Sequence, residues 1–304
     1  MQRSPSPPPP GSPAVRPQAA WPAGTTAVVG VVGDPVRHSL SPVIHNAVFA
    51  HLGMDWVFVA LPVAAGSGRE ALAGAKALSL RGLAVTMPHK QIAAEVADRR
   101  DPAVELLAAA NTLVFDDGVS TAYSTDGAGF LADLREGAGF DPKGAVCAVL
   151  GAGGAARSVV VALAAAGAEA VLVVNRSPAG AAAAAALAGA AGSPGRPEDL
   201  PAADLVVNAT PVGMRGTPAT HGSGGGATTF DPAELLRAGQ VVYDLVYHPA
   251  ETALLRAGAA AGARVRGGLG MLVHQAAAQF ELFTGRPAPL EVMWEAVGNA
   301  VGAR

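Results

Sequence analysis

Two residues of opposite charge in this 304-residue chain, Lys90 and Asp126, are placed to move a proton. Lys90 ends the run Thr86-Met87-Pro88-His89-Lys90, behind an apolar stretch at residues 82–86 that reads as a strand. Asp126 follows Ser124-Thr125 and opens a helical pattern. Taken singly, a lysine is a solvated surface group, and an aspartate at a helix start is a cap. Taken together, an ammonium and a carboxylate at such element ends form a pair that can exchange a proton with a substrate oxygen. Ser39, Ser41, Thr86 and Asn111 also lie at expected strand or helix ends. Each has a cap or turn explanation. As a cluster of small neutral hydrogen-bonding groups, they suit a polyhydroxylated ligand.

A second kind of chemistry is written at mid-chain. An apolar run, Val146-Cys147-Ala148-Val149-Leu150, ends on Gly151-Ala152-Gly153-Gly154-Ala155, and an alanine-rich helical pattern follows. This is a strand, a tight turn and a first helical turn. The free N–H groups and the dipole of such a helix start favour a phosphate. Glycine serves where the backbone turns sharply and comes close to a ligand, although helix–strand packing alone also selects it. Dinucleotide folds place an acidic residue at the end of the next strand, roughly 20 residues further on. This chain has Asn175-Arg176-Ser177 there instead. An arginine attracts a 2′-phosphate, which favours NADP over NAD as cofactor; the alternative is a solvated residue at a helix start.

Other chemistries are excluded. His38, His45, His51, His89, His221, His248 and His274 are scattered, without cysteine partners or metal-ligand spacing, so no metal is expected. No Gly-x-Ser-x-Gly or Gly-x-x-x-x-Gly-Lys-[Ser/Thr] motif occurs, which removes the nucleophile-elbow and P-loop readings. The formal net charge of −3 lacks the basic field that a nucleic-acid or anionic-membrane partner requires. Cys147 is the single cysteine and falls in an apolar strand, where a buried thiol is expected and no internal disulfide can form. No apolar run reaches the roughly 18 residues of a membrane span. The chain is therefore expected to be soluble and cytoplasmic.

The elements that must position these groups alternate. Half of the residues are hydrophobic and only 15% are charged, so a sizeable core is available. Residues 1–24 are rich in proline and serine and read as a disordered extension. Strands are expected at 26–32, 56–61 and 82–86, with helices at 43–52, 69–78, 91–97 and 102–109. Ser41 is expected to be the cap of the first helix. A hairpin follows at 112–115 and 119–123 around Asp116-Asp117-Gly118. The helix from Asp126 to residue 137 bridges into a second set of β–α units. These comprise strands at 145–150, 170–174, 205–208 and 241–245, an alanine-rich helix at 181–191, and helices near 233–238 and at 252–260. Residues 215–229, rich in glycine and threonine, read as a mobile loop. Two helices at 271–283 and 289–301 close the chain. The whole is an α/β protein with mostly parallel sheets.

These residues resemble the shikimate dehydrogenase family. The likeness rests on Gly33-Asp34-Pro35, His38-Ser39-Leu40-Ser41-Pro42, His45-Asn46, Val85-Thr86-Met87-Pro88-His89-Lys90, Ala110-Asn111-Thr112 and Ser124-Thr125-Asp126-Gly127. It continues through Gly151-Ala152-Gly153-Gly154-Ala155-Ala156-Arg157, Asn175-Arg176-Ser177, Asn208-Ala209-Thr210-Pro211-Val212-Gly213-Met214, Tyr247 and Gly268-Leu269-Gly270-Met271 with Gln275. The resemblance implies a two-domain α/β fold. Residues 25–126, completed by the C-terminal helices 268–304, would form a three-layer substrate domain with a mostly parallel sheet. Residues 127–267 would form a Rossmann-type NADP-binding domain.

It also implies reversible, NADP-dependent reduction of 3-dehydroshikimate to shikimate, a step of chorismate and aromatic amino-acid biosynthesis. Lys90 would be the proton donor and acceptor and Asp126 its partner. Ser39, Ser41, Thr86, Asn111, Tyr247 and Gln275 would hold the substrate. Gly151, Ala152, Gly153, Gly154 and Ala155 would hold the pyrophosphate, Asn175, Arg176 and Ser177 the 2′-phosphate, and Leu245 and Gly268 would lie near the nicotinamide. Two positions depart from the family pattern: Ala84 stands where many relatives have asparagine, and Gly180 where many have a second arginine. The alternatives are a quinate/shikimate dehydrogenase using NAD or NADP, and a non-catalytic NADP-binding sensor. The small-molecule substrate is the expected partner, and a homodimer is compatible with the chain.

Overall fold

The computed structural model describes residues 22–214 and 231–302. Most of the expected N-terminal extension and the expected loop at 215–229 lie outside them. The described chain builds two six-stranded sheets.

The first sheet contains β1 (Ala27–Gly33), β2 (Trp56–Pro62), β3 (Gly82–Val85), β4 (Arg99–Arg100), β5 (Thr112–Asp116) and β6 (Val119–Tyr123). They lie in the order β2-β1-β3-β5-β6-β4. β2, β1 and β3 run parallel, whereas the hairpin makes β5 antiparallel to β3 and β6. Alternation along β1 sends Val29 and Val31 to one face and Val32 to the other. The first face packs on α1 (Ser41–His51), α9 (Leu269–Thr284) and α10 (Leu290–Gly302); the second lies under α2 (Gly68–Ala77), α3 (Lys90–Val96) and α4 (Pro102–Leu107).

The second sheet contains β7 (Val146–Leu150), β8 (Ala170–Val174), β9 (Gly192–Pro194), β10 (Leu205–Asn208), β11 (Val241–Asp244) and β12 (Arg264–Gly267). Its order is β12-β11-β10-β7-β8-β9 and every pair is parallel. That is a doubly wound dinucleotide-type sheet, whose switch point lies between β7 and β10. The four central strands β7, β8, β10 and β11 are nearly continuous apolar runs, because both faces of the sheet are covered there, whereas the edge strands β9 and β12 are polar and partly exposed. The helices are α6 (Gly154–Ala165), α7 (Pro178–Ala185) and α8 (Ala253–Ala260), joined by α5 (Asp126–Glu136).

Two helices cross between the sheets. Phe130 and Leu134 of α5 are buried in the second sheet's core; Met271 of α9 joins them, while Val273, Ala276, Phe280 and Phe283 of α9 fill the first core. The fully buried Asp133 carboxylate accepts from Tyr243 Oη at 2.6 Å and from Arg266 Nε at 3.0 Å, fastening α5 to β11 and β12.

Several local expectations change. Ser41 does not cap α1: the helix starts at Ser41, and it is Ser39 Oγ that accepts the Ser41 N–H, at 3.2 Å. The helix expected at 181–191 divides into α7 and a 3₁₀ turn at Ala186–Ala191, where Gly189 has φ +58°. An alanine run has few anchoring side chains, so glycine and the sheet edge set its end. β4, β9 and β12 were not anticipated as strands; two to four residues carry no readable period. A 3₁₀ turn at Pro232–Leu235 stands where a helix at 233–238 was expected.

Candidate active site

Lys90 and Asp126 are 36 residues apart in sequence and meet at 2.6 Å, Nζ to Oδ2. The fold explains the meeting. β3 delivers Lys90 to the first turn of α3, and β6 delivers Asp126 to the first turn of α5. Asp126 is not a helix cap; Thr125 occupies that position and makes no side-chain cap bond. The carboxylate instead spends one oxygen on Lys90 and the other on Asn111 Nδ2, at 2.8 Å. Both side chains are largely buried, 21% and 11% exposed. An ion pair this enclosed is fixed in geometry in a way that an exposed pair is not.

Asn111 is the connector. Its Nδ2 also donates to Thr125 Oγ1 at 2.8 Å, and its Oδ1 accepts from the Thr125 N–H at 2.8 Å and from Thr112 Oγ1 at 3.0 Å. Asn111 and Thr112 are at most 3% exposed. Ser39 and Ser41 bond to each other through their hydroxyls at 3.2 Å, where the loop leaving β1 enters α1. Thr86 stands on the neighbouring strand's exit, where its backbone N–H donates to Val32 O and the Met87 carbonyl accepts from the Asp34 N–H. Ala84 is buried in the first core, so this position near Thr86 is apolar. Gln275, on α9, bonds Leu272 O of its own helix at 2.9 Å. Its backbone lies against Gly129 of α5, where an added Cβ would stand 2.6 Å from Gln275 N. Gln275 therefore sits beside the helix that begins with Asp126. Tyr247 packs partly buried on the first core.

The glycine turn comes to the same place from the second sheet. Gly151 has φ +109°, and an added Cβ would lie 2.9 Å from Thr210 Cγ2, so both backbone angle and space require glycine. Asn208 and Asp244 brace the turn from below: Asn208 Nδ2 donates to Asp244 Oδ1 at 2.8 Å, and Thr252 Oγ1 donates to Asp244 Oδ2 at 2.6 Å. Burial pushes the Asp244 carboxyl up, against these hydrogen bonds, which favour its charged form. Helices α4, α7 and α8 have side-chain caps from Asp101, Ser177 and Thr252. Helix α6 starts at Gly153-Gly154 with none, leaving its first N–H groups for an anion. A Cβ built on Gly154 would lie 4.0 Å from Lys90 Cδ. The uncapped helix start and the proton-transfer pair thus share one cleft.

Asn175 Nδ2 donates to Ser177 O at 3.2 Å, and Ser177 Oγ accepts from the Gly180 N–H at 3.2 Å, so the end of β8 forms a compact polar turn with Arg176 at its centre. Gly268 lies against the Leu245 carbonyl at the exits of β12 and β11. These residues fit a phosphorylated dinucleotide along the switch point. Among the described residues, no group of His, Cys, Asp or Glu could hold a metal ion, and no helix is long and apolar enough to cross a membrane.

Sequence reasoning overlooked Thr125, Thr112, Asp244 and Gln279. Gln279 had a signal, since it follows Gln275 by one helical turn and shares its face. Asp244 had none beyond its place at a strand end.

Similarity to known proteins agrees with this geometry. A family model described as the shikimate dehydrogenase substrate binding domain matches residues 31–113, and one described as the shikimate 5'-dehydrogenase C-terminal domain matches residues 268–297. A shikimate dehydrogenase (NADP(+)) of Moorella thermoacetica is 44% identical over 289 residues, covering 92% of this chain and 95% of that protein. The crystal structure of shikimate 5-dehydrogenase from Thermus thermophilus in complex with NADP(H) and shikimate is 36% identical. It superposes with a TM-score of 0.81 over 90% of this chain and 100% of that one. A quinate dehydrogenase from Corynebacterium glutamicum in complex with NAD is 31% identical, with a TM-score of 0.80 over 90% and 98% of the two chains.

Proposed function

The chain belongs to the shikimate dehydrogenase family, and we propose that it catalyses the reversible NADP-dependent reduction of 3-dehydroshikimate to shikimate. The observation that carries this reading is the enclosed Lys90–Asp126 pair, 2.6 Å apart, beside the uncapped glycine turn.

When bound, NADP supplies the redox chemistry by accepting or returning a hydride. In shikimate oxidation, Lys90 takes the proton of the reacting hydroxyl. In the reverse direction, its ammonium stabilises the charge developing on the carbonyl oxygen and then donates the proton. Asp126 orients Lys90 and balances its charge, and Asn111 keeps Asp126 from rotating away. Ser39, Ser41, Thr86, Tyr247 and Gln275 present hydroxyl, phenol and amide groups to the substrate's hydroxyls and carboxylate, while Asn111, whose amide is committed to Thr112, Thr125 and Asp126, serves the site through Asp126 rather than by direct contact. Gly151, Ala152, Gly153, Gly154 and Ala155 take the pyrophosphate on backbone N–H groups. Asn175, Arg176 and Ser177 take the 2′-phosphate, and Leu245 and Gly268 form the wall for the nicotinamide. In this reading, residues 25–126 with 268–304 form the substrate domain and 127–267 the cofactor domain. The enzyme would work in the cytoplasm, and size-exclusion chromatography with light scattering would show whether it pairs as a homodimer.

The test is absorbance at the nicotinamide band with shikimate and NADP, for the wild type and Lys90→Ala. The wild type should turn over, and Lys90→Ala should lose on the order of 10²–10⁴ in kcat, with a modest change in the KM for shikimate. Unchanged turnover would remove Lys90 from the mechanism. A second reading, a quinate/shikimate dehydrogenase, draws on the likeness to the quinate enzyme and on Gly180 in place of a second arginine. Initial rates with quinate and NAD separate the two.

A further inference from the structure

Behind the proton-transfer pair, a line of buried polar groups runs into the aromatic core of the first sheet. Gln279 is 2% exposed. Its Nε2 donates to Asn111 O at 3.2 Å and to Thr112 Oγ1 at 3.1 Å. Thr112 then donates to Asn111 Oδ1, which leaves Asn111 Nδ2 aimed at Asp126 Oδ1, 2.8 Å away. This polarity has one solution. Gln279 must donate, because Asn111 O can only accept and the Thr112 proton is already committed. A reversed Asn111 amide would oppose N–H to N–H at Thr125.

With both amide protons spent, Gln279 Oε1 needs a donor from the far side. That side is His45, fully buried and stacked on Phe58 at 4.4 Å between Phe49 and Phe283. The Gln279 carboxamide faces its ring. Gln279 Oε1 and both His45 ring nitrogens are buried without a hydrogen-bond partner. Two polar side chains in a phenylalanine cluster cost stability unless they satisfy each other. Leucine or phenylalanine would fill the same volume, so packing does not account for them.

We propose that Gln279, backed by His45, is a positioning residue of the reaction: through Thr112 and Asn111 it sets the direction of the Asp126 carboxylate and so the place of the Lys90 ammonium. This inference rests on the proton-transfer reading of Lys90 and Asp126. Neither Gln279 nor His45 touches substrate or cofactor in it.

Gln279→Met keeps the length of the side chain and removes the donors. We expect kcat for shikimate oxidation to fall about tenfold to a hundredfold, the cost of a small misplacement of a catalytic group. The KM for NADP should stay at the wild-type value, and the midpoint of kcat against pH should move. A variant that melts earlier yet keeps wild-type kcat and pH profile would overturn the proposal, since a purely structural role has that signature. If Gln279→Met does not fold, Thr112→Val decides, because it cuts the same chain with nearly the same shape. The same kinetic signature supports the proposal, and wild-type kinetics overturns it. Wild-type enzyme is assayed alongside: its own failure to oxidise shikimate would refute the functional reading rather than this inference.

Discussion

Acid should destabilise this protein through His45, by an amount that can be worked out. Burial drives the His45 imidazole from 6.5 down to about 3, outweighing the facing Gln279 side chain, which acts in the opposite direction. The folded protein therefore holds His45 neutral across a range in which the unfolded chain binds a proton. For a group whose folded pKa is lowered in this way, the stabilisation is complete above pH 6.5, is lost as pH falls, and stops changing below about pH 3. Each pH unit inside the window is worth about 1.4 kcal/mol, so moving from neutrality to about pH 5 removes about 2 kcal/mol. That is a large part of the roughly 5–15 kcal/mol a folded domain commands. Other groups titrate too. Asp98, held low by Lys76 and Ser120, adds to the acid loss, and Asp244, pushed up by burial, opposes it. They cancel when the wild type is compared with His45→Phe, whose ring can take the same stack on Phe58. The assay is urea denaturation at about pH 7 and about pH 5, followed by fluorescence of Trp56 and Trp294, which pack on the same core. At neutral pH, His45→Phe should leave stability unchanged or raise it by about 1–3 kcal/mol, since it removes two buried ring nitrogens that make no hydrogen bond and leaves Gln279 Oε1 as it was. Between the two pH values it should lose about 2 kcal/mol less than the wild type. Parallel pH dependences in the two proteins would refute the reasoning, because they would mean that His45 titrates alike in both states.

Three further outcomes are expected. Gly129→Ala would place a methyl 2.6 Å from Gln275 N and 2.9 Å from its Cα, which are backbone atoms that cannot swing aside. Separating α5 from α9 should cost about 1–3 kcal/mol in a denaturation experiment and raise the KM for shikimate; an unchanged KM would show that this contact does not place Gln275. Arg176→Ala should lower kcat/KM for NADP by about 10–100-fold, the worth of a charge-assisted phosphate contact, and leave NAD nearly untouched. Equal losses with both cofactors would count against a 2′-phosphate role. The Cys147 thiol, pushed up to about 12 by burial, should resist iodoacetamide at about pH 8 in the native protein and react fully in denaturant; rapid native labelling would contradict its burial.

What could be read from the chain itself was local. The glycine turn, the strand before it and the helix after it lie within a few residues, and their chemistry follows from backbone geometry alone. The rule that ligands sit at the C-terminal ends of parallel strands then picked out Lys90, and the helix start picked out Asp126. The resemblance to shikimate dehydrogenases rested on the same short motifs. The alanine-rich stretch at 181–191 and the edge strand Gly192–Pro194 were misread or missed because neither carries a side-chain period strong enough to betray its partners. The tertiary structure decided which candidate groups touch. It spent Asp126 on Lys90 and Asn111 rather than on a cap, made Ser39 the acceptor for Ser41, and left the glycine start of α6 without a side-chain cap. It also brought Gln279 to Asn111 across 168 positions. Pairings of that kind depend on strand register and on the rotation of each helix about its axis. Those are set by how whole cores pack, so no short stretch of sequence contains them.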